Sequence, residues 1–309
     1  MSPGHSDRRK PLLVNEWEAR TDAALAEAAD RCGVRVFPKV RVADVLSLNR
    51  SGVTDELYRY GLQAHFDFVI VDREDTKAQF AVEFDERHHL TEPKTIHRDR
   101  LKAQICDRFA FPLIRIGSEY LRRERRFTLI GYLVEVWHLE QVFYEAQQRG
   151  QIPWDEPFDP LLVVSDSIPD VMEGEHLEPD FPYWLERPAR LRFVAAHGKG
   201  LVLSRTPEEI VTPWPAYGEP DKAEFIEAWG VLELRSGAYV MGQAMLRNVK
   251  VFVPGVSARR LAADVAVADA GRKLERILAG EEPPDTAEDC AKLRSRTVGW
   301  DSRGGVVAR

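Results

Sequence analysis

The sequence predicts an α/β protein in which a mixed sheet flanked by helices is followed by a second, β-rich α+β domain. Three observations carry this. Short apolar runs at 66–71, 79–85 and 111–116 have the length of buried strands rather than of core helices. Between and around them, at 15–32, 96–109 and 127–149, apolar residues recur at helical spacing. Beyond residue 190 the texture changes to strand-like runs separated by Gly-containing turns. The 309 residues are enough for about two domains that each bury a core.

Taken in order, residues 1–11 are polar and form a flexible N-terminus, and the first domain is expected over 12–150. Asn15 is a suitable N-cap for a helix whose stripe runs through Trp17, Thr21, Ala24, Leu25, Ala28 and Ala29 to about Cys32, and Gly33 closes it. Residues 34–45 read as a strand with a polar interruption at Pro38-Lys39. A weaker stretch follows, with a turn at 49–52 and one helical turn or a loop at 55–60. The strands 66–71 and 79–85 are joined by a polar hairpin-like connection at 72–77. Leu101, Ile105 and Phe109 mark the buried stripe of the next helix, 111–116 is a further strand, and a long amphipathic helix over 127–149 closes the domain. Residues 151–190 form an acidic, Pro-rich connection that packs by its aromatics, Trp154, Phe158, Phe181, Tyr183 and Trp184. The accessory domain is expected over 191–280. In it 191–195 and 201–204 flank a hairpin turn at 197–200, 231–234 and 239–241 flank Ser236-Gly237, 249–253 adds a strand, and Ser257 caps a helix reaching Leu278. Residues 281–309 read as a loose tail.

Charge separates the two halves. Residues 1–150 carry 24 Lys and Arg against 24 Asp and Glu, so the net charge of −7 belongs to the remainder, with 19 against 26. No apolar run approaches a membrane span and the first ten residues lack a signal-peptide core, which predicts a cytoplasmic protein with no membrane partner. Three scattered cysteines, Cys32, Cys106 and Cys290, predict reduced thiols rather than a disulfide framework. Gly198-Lys199-Gly200 lacks the spacing of a phosphate-binding loop.

The chemistry concentrates between 66 and 102. Side chains alternate along a strand, so Glu83 and Asp85 share one face while Phe84 points the other way. Antiparallel pairing of the two strands brings Asp67 beside Glu83, and three carboxylates then crowd one sheet edge. Such a cluster calls for a positive partner or for protons. A hard cation with oxygen ligands, Mg²⁺ or Mn²⁺, is one answer. Lys102, one residue off the helix stripe, is another. A zinc site built from His88, His89 and His97 with Asp85 and Asp99 is a competing reading. Arg122, Arg123, Arg125 and Arg126 form either a nucleic-acid-binding patch or a solvated helix end.

Asp67, the pair in Glu83-Phe84-Asp85, His89, the run Arg98-Asp99-x-x-Lys102 and Pro112-Leu113-Ile114-Arg115-Ile116 resemble an uncharacterised bacterial branch of the PD-(D/E)XK, or restriction-endonuclease-like, nuclease superfamily. Upstream, residues 36–46, VFPKVRVADVL, are similar to that branch's VFPQVRLADVL stretch, and Glu18 fits its helical Glu. The resemblance covers about residues 12–120. It departs from the wider superfamily, whose second strand carries E-x-K, because Asp85 stands at the Lys position. What it implies is a restriction-endonuclease-like mixed sheet and Mg²⁺- or Mn²⁺-dependent hydrolysis of nucleic acid, DNA first, in defence or repair. Asp67, Glu83 and the carbonyl of Phe84 are then the metal ligands, and Lys102, arriving from the helix, is the catalytic cation. Asp85 holds Lys102 or ligates a second ion, Glu18 and His89 are outer members, and Arg98 contacts nucleic acid; the arginine patch lies beyond the resemblance and keeps both of its readings. The second domain is left for target choice, for a homodimer or for a partner protein. A catalytically silent nucleic-acid-binding module and a protein-interaction component are the alternatives.

Overall fold

The computed structural model describes residues 12–13, 15–85, 92–124, 127–159, 185–214, 225–248 and 256–296. Its contacts divide the chain into two compact units, 1–121 and 122–309.

In the first unit the order is α1 (Glu16–Cys32), β1 (Val34–Arg41), α2 (Val42–Val45), α3 (Asp55–Gln63), β2 (His65–Asp72), β3 (Ala78–Phe84), α4 (Pro93–Arg108) and β4 (Leu113–Ile116), ending in a 3-10 turn at Ser118–Leu121. Helix α1 starts and stops as its sequence demands. The Asn15 side chain accepts from the Glu18 N–H at 2.8 Å, and Gly33 takes the left-handed conformation at φ 64°. The four strands lie in the order β1-β2-β3-β4, antiparallel except for the parallel β3–β4 pair, so the sheet is mixed. The strand expected over 34–45 stops at Arg41, where the Val42 N–H bonds to the Ala64 carbonyl and the chain turns into α2. Pro38, which has no N–H to give to a ladder, is tolerated because β1 is an edge strand.

One face of this sheet packs on α4, with Val69 and Ala81 meeting Ile105 and Cys106 in a cluster that also holds Val42, Leu46, Leu48 and Phe66. Phe84, which alternates to the opposite face, stacks on Trp17 of α1 at 5.8 Å with the rings 10° apart. The weak stretch around residue 60 is a full helix, α3, capped by Thr54. Gly61 lets it close in, since a Cβ there would stand 2.4 Å from Leu48 Cδ1.

The second unit contains the small β5–β6 pair (Arg123–Glu124 and Phe127–Thr128), α5 (Leu129–Gln148), α6 (Arg187–Gly198), the antiparallel sheet β7-β8-β9 (Glu208–Trp214, Phe225–Glu233, Tyr239–Arg247), α7 (Ala258–Leu278) and α8 (Ala287–Arg296). Thr128 caps α5, which groups with this unit rather than with the domain that the sequence reading ended at residue 150. Ser257 caps α7 as expected, through its bond from the Arg260 N–H at 3.1 Å. The hairpin expected around 197–200 is not there. Pro188 opens α6, and Ala189, Phe193 and Ala196 form its buried stripe, so an apolar run that looked like a strand is a helix face. The hairpin at Ser236-Gly237 is present and joins longer strands than expected. Part of the expected loose tail is α8, which buries Cys290 and Leu293 against Ile210, Val231 and Met241. Residues 249–253 and most of the acidic connection lie outside the described residues. The last acid of that connection, Glu186, is fully buried and bonds Arg190 at 3.0 Å and Arg260 at 2.7 Å; both arginines also reach Glu209. All three cysteines are buried. Among the described residues no helix is long and apolar enough to cross a membrane.

Candidate active site in the first unit

The site is built where β2 and β3 run side by side. Phe68 pairs with Val82, so the residue before one stands beside the residue after the other, and the Asp67 N–H donates to Glu83 Oε1 at 3.2 Å. Asp67 Oδ2 in turn accepts from the Phe84 N–H at 3.0 Å. These backbone bonds fix both carboxylates. The Phe84 N–H is committed to Asp67, while its ring secures α1.

Each carboxylate carries a cation from the chain itself. Lys102, reaching back from α4, places Nζ 2.6 Å from Glu83 Oε2 and 2.8 Å from the His65 carbonyl. Of the two parts expected of Asp85, holding Lys102 or ligating a second ion, the first falls to Glu83 and the His65 carbonyl instead. Asp85 Oδ2 lies 2.7 Å from Arg115 Nη1, and the same guanidinium pairs with Asp99 at 3.0 Å. Asp67 Oδ1 is 2.8 Å from Lys39 Nζ, which also sits 2.9 Å from Glu18 Oε1. Glu18 thus joins the site across Lys39. Arg98, one turn before Lys102 on α4, is exposed and lines the same cavity, with no ion pair to any described residue. That cavity, of about 580 Å³, is lined by Glu18, Asp67, Glu83, Asp85, Asp99 and Lys102, with Trp17, Tyr60 and His65 among its other walls.

Burial decides the protonation of the group at its floor. Glu83 is 4% exposed, and desolvation pushes its carboxyl up to about 7, with the neighbouring Asp67 charge adding to the rise and Lys102 opposing it. For Lys39, burial works against the charge, but hydrogen bonds to Asp67 and Glu18 outweigh it and hold the ammonium above its usual value. Burial likewise opposes the charge on Arg115, yet Asp85, Glu83 and Asp99 keep it firmly protonated. The Tyr60 hydroxyl is raised by burial first and by the Glu83 and Asp99 charges next.

Residues 10–129 match the model of a family described as a protein of unknown function (DUF2726). No curated protein and no solved structure matches the chain. The matched stretch contains every residue that lines the cavity.

Several expected participants are placed elsewhere. His97 is paired with Glu56 at 3.2 Å, and Asp85 with Asp99 is joined by Arg115, so the described part of the zinc reading does not assemble. His88 and His89 lie outside the described residues, as do Arg125 and Arg126. Arg122 pairs with Asp269 at 3.7 Å within the second unit, and Arg123 is exposed on β5. Two site residues were missed. Arg115 is a lone charge in a buried parallel strand, a pattern that requires a counter-ion close by. Lys39 was visible as the polar interruption of β1, and the antiparallel register places it opposite Asp67.

Among the described residues no three His, Cys, Asp or Glu side chains are grouped for a metal ion. Mg²⁺ asks for less, since it commonly takes one or two carboxylates and fills its remaining positions with water or phosphate. Asp67 Oδ1 and Glu18 Oε1 already converge on one positive centre, the Lys39 ammonium, at 2.8 and 2.9 Å. This hard-oxygen donor set fits a small divalent cation.

Proposed function

We propose that the first unit is a metal-dependent nuclease domain of restriction-endonuclease-like fold that hydrolyses phosphodiester bonds in nucleic acid, with DNA the first substrate to test. The observation that carries this reading is the pairing of Asp67 and Glu83 on adjacent strands with Lys102, from the following helix, buried 2.6 Å from Glu83. A divalent cation held by Asp67 and Glu83, with Glu18 beside them, would acidify an attacking water and offset charge on a non-bridging phosphate oxygen. The chain supplies the rest. Lys102, fixed by Glu83 and the His65 carbonyl, faces the negative charge that builds on phosphorus without having to reorganise. Arg98 at the cavity wall is free to take a neighbouring phosphate. Arg115 locks Asp85 and Asp99 and so keeps the β3 end and α4 in register.

The test is cleavage of plasmid, linear and single-stranded DNA by the full chain with Mg²⁺, Mn²⁺ or chelator, beside Asp67→Ala, Glu83→Ala and Lys102→Ala variants checked for folding by circular dichroism. Cutting should need the metal and fall by about a hundredfold or more in each variant. A wild type that never cuts under any metal would remove the reading.

A second reading is favoured by the in-chain cations themselves. Lys39, Lys102 and Arg115 between them already pair with every acid of the site, so the carboxylates have cationic partners without a metal, as in a silent nucleic-acid-binding module. It predicts salt-sensitive binding that is indifferent to Mg²⁺ and to Glu83→Ala.

A further inference from the structure

We infer that Lys39 is an internal competitor for the divalent cation, an ammonium that occupies the position between Glu18 and Asp67 and must leave it before a metal ion can bind. The inference rests on the metal-dependent reading of the site and adds a residue that sets its metal affinity. Two carboxylates from different elements, α1 and β2, close on one lysine nitrogen at 2.9 and 2.8 Å. Such convergence of hard oxygens on a point charge is what a small cation uses, and two cations cannot share it at these distances.

Of the three cations that touch the acids, Lys39 is the one built to move. The side chains of Lys102 and Arg115 are 10% and 14% exposed, and leaving would strand a buried carboxylate 6% exposed in either case. The Lys39 side chain is 26% exposed and its partners Glu18 and Asp67 are 12% and 20% exposed, so a flexible four-carbon stem has a route to water. Its backbone leans the same way. Lys39 has φ 55°, a left-handed conformation that a side chain with a Cβ adopts at a cost, and the β1–β2 pairing runs from Pro38–Phe68 to Val40–Phe66 without it.

The experiment is titration of the full-length chain with Mn²⁺ alone, followed by electron paramagnetic resonance of the free ion and by calorimetry, for wild type, Lys39→Met, Lys39→Arg and Asp67→Asn. Removing the competing charge should tighten Mn²⁺ binding by about tenfold in Lys39→Met, the combined effect of two partly exposed ion pairs, while Lys39→Arg stays near wild type. On the wild type itself, labelling of Lys39 by acetic anhydride, read by mass spectrometry, should rise as Mn²⁺ is added. Binding that Asp67→Asn abolishes but Lys39→Met leaves unchanged would overturn the role of Lys39 and leave the metal site standing. No Mn²⁺ binding by wild type or Lys39→Met would overturn both. Should Lys39→Met fail to fold, unchanged labelling of wild-type Lys39 at saturating Mn²⁺ is itself sufficient to overturn the inference.

Discussion

Glu83 is the residue on which the site's response to pH turns. Its folded carboxyl, at about 7, keeps a proton that an unfolded chain, near the ordinary 4.5, has already released. The stability this group gives is therefore complete below about pH 4.5 and is lost as the pH climbs through about 7. Urea unfolding in chelator should show the wild type losing about 3 kcal/mol over that interval relative to Glu83→Gln, whose curve lacks this slope. Lys102→Met follows from the same pair. It leaves Glu83 buried without its cation and should cost about 3 kcal/mol at pH 8, but less at pH 5, where a proton takes the lysine's place. A cost independent of pH would mean that Lys102 matters by packing rather than by charge. The acids were legible in the sequence because a strand's alternation fixes which side chains meet, and Lys102 because it stands one residue off the buried stripe of the next helix. Arg115 and Lys39 were less so, because what each pairs with depends on register between strands distant in sequence.

At the scale of the element, a cap or a turn residue at the end of a periodic run makes a helix legible in the sequence. Asn15 and Gly33 bracket α1, and Ser257 starts α7, as their chemistry requires. The sequence misleads at α6. Leu191, Phe193 and Ala195 alternate as in a strand, and two glycines follow within reach of a hairpin, but Pro188 and the stripe Ala189, Phe193 and Ala196 fit a helix that packs on α7. The stripe is narrow because the contact is close, and closeness is a tertiary fact. Glycines mark it. A Cβ on Gly242 of β9 would stand 2.1 Å from Ala270 N and 2.3 Å from Ala266 O, both backbone atoms of α7. Gly242→Ala should force the helix off the sheet and cost about 3 kcal/mol in chemical denaturation, with loss of near-ultraviolet signal from Trp229 on β8. An alanine that left stability unchanged would show that α7 has room to rise.

At the scale of the molecule, every residue lining the cavity belongs to the unit that ends at Leu121. A fragment of residues 1–121 should therefore unfold cooperatively on its own and retain the metal-dependent cleavage proposed for the whole chain, measured per mole on the same DNA. Cleavage by the full chain and none by a folded fragment would assign a necessary part to residues 122–309. The sequence could separate the halves by charge and texture, but not set their boundary at 121, because α5 carries an apolar stripe that would suit either core. Finally, the sheet of the first unit is a poor template for growth. One outer strand, β1, breaks its own ladder with Pro38 and the left-handed Lys39, and the other, β4, is four residues long. Neither border offers a neighbouring chain a long flat row of free amides and carbonyls. Among its described residues this unit therefore offers little to strand-by-strand pairing, and a fragment of the unit should resist the aggregation that threatens open sheets.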